Sequence, residues 1–197
     1  NRASMPKAFA RYASCRIVLD CTEVFAANPK KLSFANAMYS SYKHRITLKG
    51  LVGIAPNGTV TFLSKLYPGS TSDKNVVKDS GVLDQLVSGD YIMADKGFLI
   101  GDILPPGVSL NIPPFLSGPQ FTPAQVAATL SIAQARIHVE RAIQRIKLFH
   151  ILDFLPANYI NFASKIFRVC GALTNWMNPL ISEVADQMML DNDLEEE

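Results

Sequence analysis

Residues 136–147 read Arg136-Ile-His-Val-Glu-Arg-Ala-Ile-Gln-Arg-Ile-Lys147, and one carboxylate, Glu140, lies there among five basic residues. No Gly or Pro occurs from 124 to 155, and the Ala, Ile, Gln and Arg of this region are tolerated or favoured in helix interiors. Thr122 before Pro123 is typical of an N-cap followed by Pro at the first helical position, with Gln125 completing a capping box. The sequence therefore predicts one long helix that carries Glu140.

The position of Glu140 on this helix decides what the carboxylate can do. At about 100° per residue, the apolar side chains on one stripe are Ile132, Val139, Ile143 and Ile146. Glu140 lies beside that stripe, where a carboxylate can point into a site, together with Arg136, Gln144 and Lys147. The alternative is a solvated helix in which Arg136 and Gln144 are ordinary partners of Glu140 at a spacing of four residues.

Composition indicates a globular protein. The chain has 197 residues, 48% hydrophobic and 18% charged, which is enough to bury a core in a single domain. Charges, Gly or Pro interrupt every apolar run before the length of a membrane span, and no segment has the flanks of a signal peptide, so we expect a soluble protein. Its three scattered cysteines, Cys15, Cys21 and Cys170, favour buried thiols over a disulfide framework or a zinc site.

Charge is distributed unevenly along the chain. The net charge is +2, and five of the acids lie in the last seven residues, so the body without them is about +7. A polyanionic partner is compatible with this balance. We expect residues 1–15 to be a linker or the end of an upstream region, 16–182 to form the domain, and 183–197 to be an acidic, flexible tail.

Two apolar runs in the chain end on an acid. Arg16-Ile-Val-Leu-Asp20 predicts a buried strand that ends at Asp20, with residues 21–25 as an extended continuation. Tyr91-Ile-Met-Ala-Asp95 repeats the pattern. If the two strands are parallel neighbours, Asp20 and Asp95 lie at the same edge of the sheet, where α/β proteins bind ligands.

The elements between these runs define the fold class. Residues 42–54 and 59–65 predict a hairpin, because the Asn-Gly of Pro56-Asn-Gly58 between apolar runs is a strong turn signal. A helix over 74–86 and a short strand over 108–112 follow, and a second amphipathic helix is expected over 159–177. We expect the helix of Glu140 to run on into 150–155 and to stop at Pro156. This order predicts an α/β fold whose mixed sheet contains an antiparallel hairpin and has flanking helices.

Glu140 from the helix border would complete a cluster of three carboxylates with Asp20 and Asp95. Mg²⁺ takes oxygen ligands and is usually held by one or two carboxylates together with substrate phosphates. Two such ions can activate a water or a 3′-hydroxyl and stabilise the leaving oxygen of a phosphodiester. The basic residues that flank Glu140 would then lie where they can hold DNA phosphates.

Four motifs carry a family resemblance: Ile17-Val-Leu-Asp-Cys-Thr22, Gly69-Ser-Thr-Ser-Asp73, Ile92-Met-Ala-Asp-Lys-Gly-Phe98 and the stretch 136–147. Together and in this order they resemble the DDE superfamily endonuclease domain of Harbinger-type transposases and transposase-derived nucleases, from about residue 16 to 155. The resemblance implies an RNase H-like fold, a nuclear location, and metal-dependent cleavage and strand transfer of DNA. It further implies that Asp20, Asp95 and Glu140 are the catalytic residues and bind two Mg²⁺ or Mn²⁺ ions.

Asp73 is an alternative second acid, because it also lies in a motif that resembles the family. We prefer Asp95, since it ends a strand, as a fixed metal ligand should, whereas Asp73 follows a turn and is well explained as a helix N-cap. Five other acids are interpreted as solvated or capping residues: Glu23, Asp79, Asp84, Asp90 and Asp102.

Candidate phosphate-binding or DNA-binding residues are Lys96, Arg136, Arg141 and Lys147. Lone surface cations often contribute nothing measurable, so these assignments depend on the acids being a site. Lys43, His44, Arg45 and Lys49 either form a phosphate-binding strand or are the exposed face of the hairpin, and the sequence does not separate the two. His138 is interpreted as structural, because it projects away from Glu140.

The resemblance makes DNA the expected partner. We expect no interaction with a membrane. Members of related families often need a separate DNA-binding domain or protein, and no helix-turn-helix or zinc pattern is visible here. A homo-oligomer is a further candidate assembly. The competing function is a host-adopted or decayed transposase-derived protein that binds DNA without catalysis; loss of an acid of the triad would favour it, and all three are present.

Overall fold

A computed structural model describes residues 6–115, 120 and 122–181, so the acidic tail expected over 183–197 lies outside the described residues. Seven strands are described: β1 (Cys15–Phe25), β2 (Tyr39–Ser40), β3 (Arg45–Ile54), β4 (Val60–Leu63), β5 (Tyr67–Pro68), β6 (Tyr91–Met93) and β7 (Ser109–Asn111). The α-helices in the same residues are α1 (Leu32–Met38), α2 (Asp73–Ser80), α3 (Pro123–Ile146) and α4 (Ala163–Thr174). Short 3-10 helices cover Lys7–Phe9, Leu83–Gln85, Gly101–Ile103, His150–Leu152 and Ala157–Phe162.

All seven described strands form one mixed sheet. Its main path is β2-β3-β1-β6-β7, in which β1 and β3 are antiparallel, whereas β6 is parallel to both β1 and β7. The second edge of β3 is covered by three short strands, β2, β5 and β4, each antiparallel to it. The predicted hairpin is therefore β3 and β4, and the predicted parallel pairing of the two acid-terminated runs is β1 and β6.

Each face of the sheet has its own hydrophobic core because side chains alternate along the strands. Val18 and Val52 face a core built with Val139 of α3 and Phe167 of α4. Leu19 and its neighbours face the other core, built with residues of α2 and with the segment after β6. Burial on both faces explains the near-continuous apolar runs of β1 and β3.

The start of α3 confirms the predicted cap. The Thr122 hydroxyl accepts from the backbone N–H of Gln125 at 3.2 Å, and Oε1 of Gln125 accepts from the N–H of Thr122 at 2.9 Å. The predicted stripe is also confirmed, since Ile132, Val139 and Ile146 are buried. This stripe fixes the rotation of α3 about its axis and hence the direction in which Glu140 points.

The extended continuation predicted for residues 21–25 is confirmed: β1 runs past Asp20 to Phe25, because these residues continue the antiparallel pairing with β3. Two predicted helix ends are wrong. The helix expected over 74–86 ends at Ser80, because Gly81 adopts a left-handed conformation with φ of 80° that terminates it. α3 ends at Ile146, and the residues after it form a 3-10 helix instead of continuing the α-helix.

The chain after α3 returns to the sheet. Leu155 forms a parallel bridge with Ala26, just beyond β1: its N–H donates to the carbonyl of Phe25 at 2.8 Å, and its carbonyl accepts from the N–H of Ala27 at 2.9 Å. The chain must leave the helix axis to make these bonds. The second helix, expected over 159–177, is likewise divided into a 3-10 helix and α4, and Trp176 lies beyond it, exposed.

Part of the segment that was expected to be a linker packs on the domain. Phe9 is fully buried in the core that faces α3, and the Tyr12 hydroxyl donates to the Ser131 hydroxyl at 2.8 Å. The α/β class and the mixed sheet with flanking helices are confirmed, in agreement with an RNase H-like fold. No helix in the described residues combines the length and apolarity needed to cross a membrane.

Removing the cap of α3 tests how much this end stabilises the helix that carries Glu140. Thr122→Ala should lower the free energy of unfolding by about 1 kcal/mol, because the N–H of Gln125 loses the hydroxyl oxygen that accepts from it. Urea denaturation measures the change. The matched control is Thr129→Ala inside the same helix, where alanine raises helix propensity and no loss is expected. Equal losses in both variants would contradict the role of the cap.

Candidate active site

The pairing register of β1 and β6 brings the first two acids to one edge. Val18 of β1 lies opposite Met93 of β6 in the parallel ladder. Asp20 and Asp95 each follow their member of this pair by two residues, so both leave the ladder at the same level and on the same side. The parallel strands thus place the two predicted carboxylates together, even though Asp20 lies within β1 and not at its end.

α3 supplies the third acid. Asp20 lies on the face of β1 that also carries Val18 and Val24, and this face packs against α3. Ala135, Val139 and Ala142 of α3 are fully buried against it. Glu140 lies at the border of that contact, with its side chain 52% exposed, as the helix projection predicted.

A gap in the sheet opens the site. β6 ends at Met93 while β1 continues, and the next described partner on that side of β1 is Leu155 beyond its far end. Between these two points the edge of β1 lines an open pocket of about 550 Å³. The strand that carries Asp20 is therefore accessible because its neighbour is shorter.

The pocket is rich in charge. Its described lining includes five acids and four bases: Asp20, Glu23, Asp73, Asp95, Glu140, Lys43, Lys49, Arg136 and Lys147. Five carboxylates and four cations leave a formal charge of −1 when all are ionised. The pocket by itself does not attract a polyanion, and added cations would reverse its sign.

Arg136 lies between two of the predicted catalytic acids. Its Nη1 is 3.2 Å from Oδ1 of Asp95, and its Nη2 is 3.8 Å from Oε1 of Glu140. The side chain of Arg136 is only 12% exposed. The ordinary pairing of Arg136 with Glu140 at a spacing of four residues is thus present, and the same guanidinium also reaches an acid from the sheet.

The pKa of Asp20 is set by its burial and by the charges around it. Burial raises the pKa of Asp20 to about 6; the N–H of Cys21, which donates to Oδ1 at 2.8 Å, and the charge of Arg136 act in the opposite direction. The charges of Asp95 and Glu140 add to the increase. A desolvated carboxylate that is crowded by two others is poorly compensated, and a cation at this position would stabilise it.

A second charged cluster lies on the other face of the same edge. Nζ of Lys49 is 3.0 Å from Oδ1 of Asp73 and 3.9 Å from Oε1 of Glu23. The Thr47 hydroxyl donates to Oε2 of Glu23 at 2.8 Å. Asp73 therefore lies in the same pocket as the other acids, but it is already neutralised by a lysine.

Two assignments made from the sequence are wrong in this cluster. Asp73 is not the N-cap of α2: the cap is Ser72, whose side chain accepts from the N–H of Asn75, and Asp73 is the first helical residue. Glu23 is not solvated, since its side chain is 9% exposed and is bonded as above. Alternation along β1 was the available signal, because it places Glu23 and Cys21 on the face opposite to Asp20.

The four candidate phosphate-binding residues lie in three places. Arg136 and Lys147 line the acid pocket. Lys96 follows Asp95 directly and packs 4.8 Å from the centroid of the exposed Phe115 ring, at the rim. Arg141 is not brought to the acids: it lines a separate shallow depression with Gln144 and Leu148.

Lys147 is a pocket residue whose pKa is lowered by its surroundings. Burial and the nearby charge of Lys43 lower the pKa of Lys147, whereas Glu23 and Asp20 act in the opposite direction. Lys43 itself lies 4.5 Å from the centroid of the Tyr42 ring, and both line the pocket. Of the hairpin cations left undecided by the sequence, Lys43 and Lys49 belong to the pocket.

Other groups with reactive side chains do not contribute. His138 is buried against Phe9, with ring centroids 6.0 Å apart, on the side of α3 away from the pocket, as expected for a structural residue. Burial raises the pKa of Cys15 to about 12 and also raises the pKa of Cys21 and Cys170, so these thiols stay protonated. Of the three thiols predicted to be buried, Cys15 and Cys170 are buried and Cys21 is partly exposed.

The donor set of the pocket fits a hard divalent cation. Asp20, Asp95 and Glu140 offer carboxylate oxygens, and Asp20 is held in a desolvated, negatively crowded position. Among the residues that the structure describes, however, no three acidic, histidine or cysteine side chains are gathered closely enough to hold a metal ion as they stand. Side chains would have to rearrange for three carboxylates to share an ion.

Comparison with known proteins shows which family the sequence matches. The sequence matches a family model described as DDE superfamily endonuclease over residues 19–175, which includes all the pocket residues discussed above. No curated protein and no solved structure gives a significant match.

The raised pKa of Asp20 predicts a pH-dependent stability. The folded chain holds this proton up to a pH of about 6, whereas an unfolded aspartate loses it near 4, so the group destabilises the fold progressively as the pH rises through this window and fully above it. Asp20→Asn should therefore be about as stable as wild type at pH 4 and more stable at pH 7, by on the order of 2 kcal/mol. Urea denaturation in a chelating buffer measures the difference. A gain that is equal at both pH values would contradict the assignment.

Proposed function

This chain belongs to the DDE superfamily endonucleases, and from that membership we propose that it is the catalytic domain of a metal-dependent DNA endonuclease or transposase of the Harbinger type. The observation that carries the proposal is the pairing register that sets Asp20 and Asp95 at one level, beside Glu140 of α3, in an open pocket. Family membership supports nuclease chemistry, and the acids supply its usual ligands.

Three carboxylates would hold the metal ions: Asp20, Asp95 and Glu140. Two bound Mg²⁺ or Mn²⁺ ions would lower the pKa of an attacking water or 3′-hydroxyl and stabilise the leaving oxygen of the phosphodiester. The chain provides the fixed positions for this chemistry. Asp20 is held by the pairing of β1 with β3 and by the N–H of Cys21, and Asp95 by the N–H of Lys96, which donates to it at 2.7 Å.

Charge balance explains why metal and DNA would bind together. The pocket has a formal charge of −1 without added ions, because its acids outnumber its bases by one. Its lysines are therefore already balanced by acids in formal charge and are not free to attract a phosphate. Two divalent ions would make the pocket formally +3, and a phosphate would then be attracted. Lys147 lies within the pocket, where it can contact a phosphate oxygen next to the scissile bond, and Lys96 can hold the backbone at the rim.

We assign the second acid of the triad to Asp95 and not to Asp73. Asp73 is paired with Lys49 at 3.0 Å, so its charge is already satisfied by the fold. Asp95 also has a counter-ion, Arg136 at 3.2 Å from its Oδ1, but its side chain is 51% exposed, against 32% for Asp73. In this proposal the Lys49 cluster orients the wall of the pocket, while Asp95 binds metal.

A second candidate function is DNA binding without catalysis, by a host-adopted or decayed transposase. The specific observation in its favour is that the described acids are not gathered into a metal site as they stand. For either function the proposed partner is DNA in the nucleus, with a separate DNA-binding domain or protein and a homo-oligomer as further candidates.

Nicking of a supercoiled plasmid in the presence of Mg²⁺ or Mn²⁺ tests the triad. Asp20→Asn, Asp95→Asn and Glu140→Gln should each lower the nicking rate by about 10³-fold or more, because a metal ligand is lost. Asp73→Asn should keep most of the activity. Asp102→Asn is the matched control, since this acid is exposed and pairs only with Lys74 on the surface.

Two results would change the proposal. If Asp73→Asn lost nicking while Asp95→Asn stayed active, the second acid of the triad would be Asp73 and not Asp95. If the wild-type protein neither nicks DNA nor binds Mn²⁺ in calorimetry, while it still binds DNA, the non-catalytic function would be the better one.

The salt dependence of DNA binding tests the role of Lys147. In an Asp95→Asn background, which prevents cleavage, Lys147→Gln should reduce the slope of log affinity against log salt by about 1, because one phosphate contact is lost. Arg141→Gln removes one positive charge close by in the chain, on α3 but away from the pocket, and it should leave the slope nearly unchanged. Fluorescence anisotropy with a labelled duplex measures both slopes. Equal slopes in the two variants would remove Lys147 from the DNA-binding surface.

A further inference from the structure

The guanidinium of Arg136 occupies oxygens that a metal ion would need. It contacts Oδ1 of Asp95 at 3.2 Å and Oε1 of Glu140 at 3.8 Å, and its charge also acts on Asp20. These are the three acids assigned to the metal ions. One cation of the chain thus already serves all three carboxylates.

The pairing of Arg136 is incomplete. Its Nε is buried and makes no hydrogen bond to any residue in the described part of the chain. A buried donor without a partner costs free energy comparable to a lost hydrogen bond. The ion pairs of the guanidinium that the structure describes are those with Asp95 and Glu140, and Nε adds no hydrogen bond that would hold the side chain there.

The carboxylates of Asp95 and Glu140 share one contact, Arg136. Asp95 and Glu140 each turn an oxygen towards the guanidinium of Arg136. The described acids are not gathered into a ready metal site. A divalent cation would have to take over oxygens that now accept from Arg136.

We propose that Arg136 is an exchangeable counter-ion of the acid cluster: its guanidinium and a divalent cation compete for Asp95 and Glu140, and the metal ion binds only as Arg136 turns away. This inference rests on the proposed metal-dependent function and adds to it a residue that sets metal affinity. Arg136 is here a positioning residue, acting through the acids that it contacts.

Competition predicts two opposite effects of the same substitution. Without Arg136 the three carboxylates repel each other, so the fold loses stability in a chelating buffer. The same loss removes a competing positive charge, so a divalent ion binds more tightly and restores more stability than it does in the wild type. A residue that only supports the fold would give the first effect without the second.

Titration calorimetry with Mn²⁺ alone tests this inference in the absence of DNA and turnover. Arg136→Gln should bind Mn²⁺ about tenfold tighter than the wild type, because one unit charge near the ion is removed. Its melting temperature should be lower in a chelating buffer and should rise more on saturation with Mn²⁺. Arg136→Met, which keeps the apolar stem of the side chain, provides a second variant with the same expectations if Arg136→Gln does not fold.

Two further variants serve as controls. Arg136→Lys keeps the positive charge near the acids, and because that charge is what competes with the ion, the affinity should stay within about threefold of the wild type. Arg168→Gln makes the same chemical change on the exposed side of α4, away from the pocket, and should leave Mn²⁺ affinity unchanged.

The outcomes separate this inference from the proposed function. Equal Mn²⁺ affinity in wild type and Arg136→Gln would overturn the competition while leaving metal-dependent nuclease function intact. Weaker binding in Arg136→Gln would also overturn it, because Arg136 would then support the ion. If none of the proteins binds Mn²⁺, both the inference and the metal-dependent function fail.

Discussion

The parallel pairing of β1 with β6 is the constraint on which the site depends. Its register sets Val18 against Met93, and the two acids that follow leave the ladder at the same level. A slip of one residue would send one carboxylate to the opposite face of the sheet. α3 only has to present Glu140 at the border of its buried stripe, and the capping box and the buried alanines hold it in that rotation. Backbone pairing and helix packing therefore determine which carboxylates lie next to each other.

Sequence patterns were sufficient where the cause is local. The Asn-Gly turn identified the β3–β4 hairpin, Thr122 and Gln125 identified the start of α3, and two apolar runs ending on acids identified β1 and β6. From the last pair followed the side of the sheet on which Asp20 and Asp95 meet. The four motifs added the family, which the match over residues 19–175 supports. The choice of Asp95 over Asp73 stays a prediction.

What the sequence did not reveal depends on contacts between distant residues. Glu23 is enclosed because Thr47 and Lys49 of β3 lie across from it, and nothing in residues 20–25 alone shows this. The sequence offered pairing of Arg136 with Glu140 along the helix as the alternative to a phosphate-binding role, and the reach of Arg136 to Asp95 appears only when the helix is laid on the sheet. Likewise α3 ends early because the chain must return to bridge Ala26 through Leu155. Local rules describe each element, and tertiary packing decides which charges meet.

The open edge of β1 has a consequence for the strands that could pair with it. A strand with an unpaired edge is a template on which another extended chain can add itself. Along the gap between β6 and Leu155, β1 presents Asp20 and Glu23, and the pocket around it is filled with further charge. An incoming strand would further bury Asp20, whose carboxylate is already poorly compensated. A change that neutralises Asp20 for the sake of stability would therefore also remove a charge that opposes strand addition at this edge.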